Sequence, residues 1–275
     1  MFKIHLKDTV LDLTTPLVMG ILNTTPDSFF KGSRMEAIDL GIQKAIEMVN
    51  FGASIIDIGG QSTRPGAELI TDSIEIERVV PMIEAIHAAI PQIPISIDTY
   101  HAGVAKAALD AGALIVNDIS CGNFDPKMLP TVVANHAGYI GMHQTGDVES
   151  MHQVVTRTDI MQTLLDYFTH KKKAFAAIGL TEWILDPGFG FSKTKAENFK
   201  IVKSLAQLKV LDLPILLGVS RKSSIYTTLG IDAESALNGT TVVNTIGLLG
   251  GANILRVHDA KEAKEAILLM DQLNA

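Results

Sequence analysis

The chain has a single cysteine, Cys121, among its 275 residues. No internal disulfide can form, and a reducing cytoplasm is the expected compartment. Nothing approaches the roughly 18 uninterrupted apolar residues of a membrane span, although nearly half the residues are apolar. The opening stretch, MFKIHLKDTVLDL, lacks the continuous apolar core of a secretory signal. A net charge of -7 with no basic tract argues against nucleic acid as a partner. There is no Pro/Ser-rich linker and no G-x-G-x-x-G after the first strand-like run. The first absence predicts one domain over residues 1–275, and the second disfavours an open dinucleotide-binding sheet. What remains is a chain that takes a small ligand. If that ligand is anionic, positive charge has to be gathered locally against the average sign.

Short β-branched runs alternate with helix-period segments from end to end. Strands are expected near 17–22, 54–58, 93–97, 113–117, 138–142, 183–186, 214–219 and 252–257. Helices are expected near 35–51, 73–90, 101–111, 125–136, 158–179, 195–205, 234–250 and 260–273. Eight strand–helix alternations predict an α/β chain folded as a (β/α)8 TIM barrel of about 250 residues. Residues 1–16 would form a short N-terminal cap, read as a hairpin.

Barrel active sites lie at the C-terminal ends of the strands, and this sequence is polar there. The runs end in Asn23, in Asp57 followed by Ser62 to Arg64, in Asp98, in Asn117 and Asp118, in His143 and in Asp186. The last two end in Ser220 to Ser223 and in Arg256, His258 and Asp259. An Asp or Asn after a strand often only caps a helix or a turn, which is the reading for Asp57, Asp118 and Asp259 taken singly. Capping does not explain Arg64, Lys222 and Arg256 converging on one mouth. Guanidinium and ammonium groups bind phosphate oxygens, so a di- or triphosphate is expected. Asp98, Asn117 and Asp186 follow apolar runs, and a carboxylate held that deep needs donors. Those donors are either the protein's own amides or the N–H edge of a flat heterocycle, the latter favoured because the three groups come from three strands. Phe189 and Phe191 either pack or line an aromatic substrate. From residues alone, a Schiff-base aldolase using Lys222 is a further reading.

The segments VMGILNTTPDSF, DIGGQSTRPGA, ISIDT, VNDIS, ILDPGFGFSKT, LLGVSRKSSI and ILRVHD, in this order, resemble the dihydropteroate synthase family from about residue 17 to the C-terminus. The resemblance implies a transferase of folate biosynthesis that joins 6-hydroxymethyl-7,8-dihydropterin pyrophosphate to 4-aminobenzoate and is a target of sulfonamide inhibitors. It implies a pterin site of Asp98, Asn117, Met142, Asp186, Gly218 and Lys222. It assigns Asn23, Arg64, Arg256 and His258 to the pyrophosphate, with Asn23 also on Mg²⁺, and Thr63, Pro65, Phe191 and Ser223 to the aminobenzoate. Asp98, Lys222 and Arg64 are the expected catalytic groups, and a homodimer is expected. The chain departs from the family pattern at Lys31, where an acidic residue is usual, at Gln61, where Glu is usual, after His143, and at Ala236, a position often held by Arg. The nearest competing readings are a pterin-binding methyltransferase, which has no use for a diphosphate clamp, and a non-catalytic pterin-binding paralogue.

Overall fold

The computed structural model describes residues 2–24, 34–62, 68–151 and 153–274. The cap is a hairpin, with β1 (Lys3–Leu6) antiparallel to β2 (Thr9–Asp12). Eight parallel strands follow: β3 (Leu17–Asn23), β4 (Ile55–Gly59), β5 (Ile95–Asp98), β6 (Ile115–Asp118), β7 (Gly138–Met142), β8 (Ile184–Asp186), β9 (Leu216–Leu217) and β10 (Ile254–Val257). Their order is β8-β7-β6-β5-β4-β3-β10-β9. A parallel bridge between Leu185 and Ile215 joins the two ends into a closed barrel. Among the described residues no helix is long and apolar enough to cross a membrane.

The helices are α1 (Arg34–Asn50), α2 (Asp72–Ala89), α3 (Ala102–Asp110), α4 (Met128–Ala134), α5 (Ile160–Ala176), α6 (Lys195–Lys203), α7 (Ser223–Leu229), α8 (Leu237–Gly250) and α9 (Ala260–Asn274). The sequence patterns locate all but α7. SSIYTTL carries no helix expectation, and its Ser and Thr side chains compete for backbone hydrogen bonds. Here Thr227 and Thr228 donate back to the carbonyls of Ser223 and Ser224 within the helix, and Gly230, at φ 68°, ends it in the left-handed region. The expected strand near 214–219 shrinks to two residues. Pro214 has no N–H to give a ladder, and its carbonyl instead accepts from Leu185 N at 3.0 Å.

Two apolar layers follow from the period-2 alternation of strand side chains. Ile56, Ile58, Ile97, Val116, Leu185, Leu217 and Leu255 face the helices and join the large outer core. Met19, Ile55, Ile115, Ile140, Ile184, Leu216 and Ile254 point inward at the N-terminal end, where Ile4, Leu6, Leu11 and Leu13 of the hairpin pack beneath them. The hairpin thus plugs the bottom of the barrel. It is fastened by Lys7 N donating to His136 O at 2.9 Å, and a Cβ at Gly138 would lie 2.5 Å from Leu6 Cδ2.

Candidate active site

The same alternation fixes the mouth. Two residues beyond each inward apolar position lies another inward position, and in four of the seven strands the sequence turns polar there: Asp57 after Ile55, Asn117 after Ile115, Asp186 after Ile184 and Arg256 after Ile254. Asp98 pairs in register with Asn117 and Gly59, and Met142 with Asp186. One barrel layer above the apolar plug therefore carries the chemistry.

Arg256 is at its centre. Its Nε donates to Asp57 Oδ2 at 2.6 Å and its Nη2 to Asp98 Oδ2 at 2.6 Å. Asp57 is fully buried and also accepts from Asn117 Nδ2 at 3.2 Å, while among the described residues its Oδ1 has no partner. Burial pushes the Asp98 carboxyl up to about 7, with Arg256 opposing and Asp57 adding to the rise. Burial also works against the charge on Arg256, but Asp57 and Asp98 reverse this and hold the guanidinium above its ordinary pKa. Two carboxylates around one guanidinium are short of one positive charge. A ligand that brings N–H donors or positive charge to Asp98 is favoured there.

Opposite stand Asp186 and Lys222. Asp186 Oδ1 accepts from Gly188 N at 2.7 Å, and burial raises its pKa against the pull of Lys222. The Lys222 ammonium donates to Phe189 O and lies 4.7 Å from the Phe191 ring centroid. Burial lowers its pKa to about 8, with Asp186 opposing. Among the described residues, Asp98 Oδ1, Asn117 Oδ1 and Asp186 Oδ2 accept no hydrogen bond. Acceptors from three strands and an ammonium from the seventh barrel strand's loop thus face one mouth.

The other expected site residues take definite places. Met142 and Phe191 are buried together with Tyr100, Ile119 and Met151. Gly218 runs beside the Arg256 side chain. His258 is exposed, and its Nδ1 lies 3.0 Å from Ser220 Oγ. Ser223 is exposed at the start of α7. Asn23 ends β3, where a Cβ added to Gly59 would be 3.6 Å from Asn23 Oδ1 and 3.9 Å from Asp98 Oδ2. Thr63, Arg64, Pro65 and Lys31 lie outside the described residues. Gln61 uses both ends of its amide, donating to Ser62 O at 2.9 Å and Glu68 O at 3.0 Å and accepting from Ile70 N at 2.9 Å. An ionised glutamate could not make the two donations. Ala236 is fully buried.

Of the three acids read as plain caps, Asp118 behaves as one. It faces outward and accepts from Ser120 N, Gly122 N and Tyr139 Oη at 2.7–2.8 Å. Asp259 pairs with Arg221 through two bonds, of 2.9 and 2.7 Å. Asp57 does not cap a turn at all. It is the counter-ion of Arg256, a role that needed the inward parity of β4 to be recognised. His143 is also no ligand-facing group. Its buried imidazole packs edge-on to Tyr167, and burial, with Lys193 and Arg157 nearby, lowers its pKa to about 2.

Fold and mouth together define a (β/α)8-barrel enzyme whose C-terminal face takes a flat, N–H-bearing ring. Residues 19–258 match the family described as "Pterin binding enzyme". The dihydropteroate synthase of Synechocystis sp. is 41% identical over 259 residues, covering 93% of this chain and 89% of the relative. The Yersinia pestis dihydropteroate synthase, solved in a sulfonamide drug complex, superposes with a TM-score of 0.92 at 35% identity over 99% of both chains. The Xanthomonas albilineans enzyme, solved with 4-aminobenzoic acid, gives a TM-score of 0.90 at 32% identity over 97% of this chain and 96% of its own. The chain belongs to the pterin binding enzyme family and, within it, to the dihydropteroate synthases.

Proposed function

We propose that this chain condenses 6-hydroxymethyl-7,8-dihydropterin pyrophosphate with 4-aminobenzoate, giving 7,8-dihydropteroate and pyrophosphate. The observation that carries the reading is the layer of Asp98, Asn117, Asp186 and Lys222, whose open acceptors and donor match the N–H edge and the carbonyl of a pterin. Asp186 and Asn117 orient the ring, Lys222 donates to its carbonyl and ring nitrogen, and Met142 and Gly218 line the pocket. The bond from the pterin methylene carbon to the diphosphate oxygen breaks, and the arylamine nitrogen forms the new bond and then loses a proton to solvent. Positive charge that develops on the ring is met by Asp98, whose carboxylate faces it. Arg64, Arg256 and His258 hold the leaving diphosphate, and Thr63, Pro65, Phe191 and Ser223 seat the aminobenzoate. The solved relatives with a sulfonamide and with 4-aminobenzoic acid support that second seat.

Mg²⁺ fits one position. A Cβ placed on Gly59 would touch both the Asn23 amide oxygen and the Asp98 carboxylate, oxygen donors of the kind this ion takes. Among the described residues no group of three or more His, Cys, Asp or Glu is placed to hold a metal ion, and Asn23, with its side-chain oxygen, is the residue that would hold Mg²⁺ beside the diphosphate. When bound, the ion neutralises charge on the departing diphosphate. Incubating the purified chain with both substrates should release pyrophosphate and dihydropteroate in equal amounts, and EDTA should suppress this with recovery on adding Mg²⁺. Binding of both substrates without any product would refute the reading in favour of a non-catalytic binder.

The chain is also proposed to act as a homodimer. Val242, Ile246 and Leu249 form an exposed apolar stripe on α8 at spacings of four and three residues, being 51%, 42% and 64% exposed. A second copy of the same helix face would cover it. Sedimentation should give twice the chain mass, and Ile246→Glu should shift the protein to monomer. A wild-type monomer at micromolar concentration would exclude this arrangement.

A further inference from the structure

We infer that Lys193, buried behind the mouth, is a positioning residue for the arylamine seat. Its side chain is 5% exposed, and Nζ donates to three backbone carbonyls: His143 O at 3.1 Å, Gly188 O at 2.9 Å and Phe191 O at 3.1 Å. The first belongs to the loop after β7 and the other two to the loop after β8. One ammonium therefore ties two active-site loops together, using all three of its N–H donors. A neutral amine could serve only two of these carbonyls. Burial, with the Arg157 and Lys222 cations nearby, pushes the Lys193 pKa well down, and the Asp186 and Glu197 carboxylates act in the opposite sense.

The loop has a shape that requires such a centre. Gly188, Ser192 and Gly190 have φ of 70°, 47° and 85°, so the chain curls repeatedly through the left-handed region and turns its carbonyls to one side. Ser192 carries a side chain there at a conformational cost. Arg157 braces the outer half, donating to Ser192 O at 2.9 Å and Thr145 Oγ1 at 2.6 Å. The inner half has independent anchors: Gly188 N on Asp186 at 2.7 Å, Gly190 N on Asn198 Oδ1 at 2.8 Å, and Phe189 O under Lys222. Removing Lys193 thus takes one tether from the Phe191 carbonyl, leaving the Phe191 N–H on Gly188 O at 3.1 Å, and leaves the pterin-facing carboxylate of Asp186 in place.

The inference rests on the function proposed above, with Phe191 as an aminobenzoate contact. Kinetics on the full chain carrying Lys193→Met should raise KM for 4-aminobenzoate about tenfold or more, as expected for loss of charge-assisted hydrogen bonds, while KM for the pterin pyrophosphate stays within about twofold. Lys193→Gln keeps two donors and should show a smaller rise in the same direction, and it carries the test if the methionine variant does not fold. Calorimetry with a pterin alone should give the wild-type affinity in both variants. Equal rises in the two KM values, or no rise in either, would overturn the positioning role. A wild type that binds both substrates without turnover would instead remove the functional reading, and aminobenzoate affinity measured by calorimetry would still decide the role of Lys193.

Discussion

Arg256→Met should destabilise the protein by about 3–5 kcal/mol at pH 8, the range for removing one partner of a buried ion pair, and by much less at pH 5. Asp57 and Asp98 would be left in the barrel without the guanidinium between them, and among the described residues Asp57 Oδ1 already lacks a partner. The sign follows from Asp98, whose folded pKa of about 7 lies above its ordinary 3.8. A carboxyl raised in this way contributes stability below its unfolded pKa and loses it as pH rises through the folded value. Without Arg256 the folded value climbs further, so the loss grows through pH 7 and beyond. The catalytic consequence is also broader than a diphosphate contact alone would give. Because Asp98 and, through Asp57, Asn117 depend on the guanidinium, affinity should fall for a pterin without phosphates as well as for the pyrophosphate substrate. Urea melts at the two pH values, with calorimetry on both pterins, measure this. A loss that is equal at pH 5 and pH 8 would mean that the carboxylates do not need Arg256.

Asp98→Asn should lower kcat about a hundredfold or more, roughly 2.7 kcal/mol, while pterin affinity changes by less than about tenfold. The amide keeps the shape and one acceptor but not the charge that meets a cationic ring. Arg256 retains Asp57, so the pocket stays folded. The pH profile offers a separate readout. Asp98 must be ionised and Lys222 protonated, so kcat/KM for the pterin substrate should rise through about pH 7 and fall through about pH 8 in the wild type. Asp98→Asn should erase the acid limb and leave the alkaline one. Parallel loss of affinity and turnover with both limbs intact would reduce Asp98 to an anchor.

The barrel and most of its polar rim were legible because two periodicities carry them. Alternating runs and amphipathic helices give the eightfold count, and strand parity decides which polar residue faces the mouth. Asp57 and Asp118 look alike when each is read as an acid after an apolar run. They differ by one position relative to the plug residues Ile55 and Ile115, and so one faces the ligand layer and the other the helices. Parity was available in the sequence and would have separated them. The partners were not available. The Asp57–Arg256 bond spans 199 positions along the chain, and only the closed barrel brings β4 and β10 to the two sides of β3. Lys193 is hidden from the sequence for a different reason. It stands inside the motif DPGFGFSKT, but nothing local says that its amine turns inward to collect carbonyls. Arg157, which braces the same loop, belongs to a stretch with no periodic signal at all.

The hairpin under the barrel gives the molecule two poles with unlike duties. Among the described residues, the side chains proposed to handle reactants lie at one end, while β1 and β2 seal the other with aliphatic side chains. A dye, a surface or a fused domain attached through an exposed hairpin position such as Val10 would point away from the incoming molecules. Immobilisation through that pole would present the open mouth to solution in a uniform orientation, which is the geometry that a surface-based screen for compounds competing at the mouth requires.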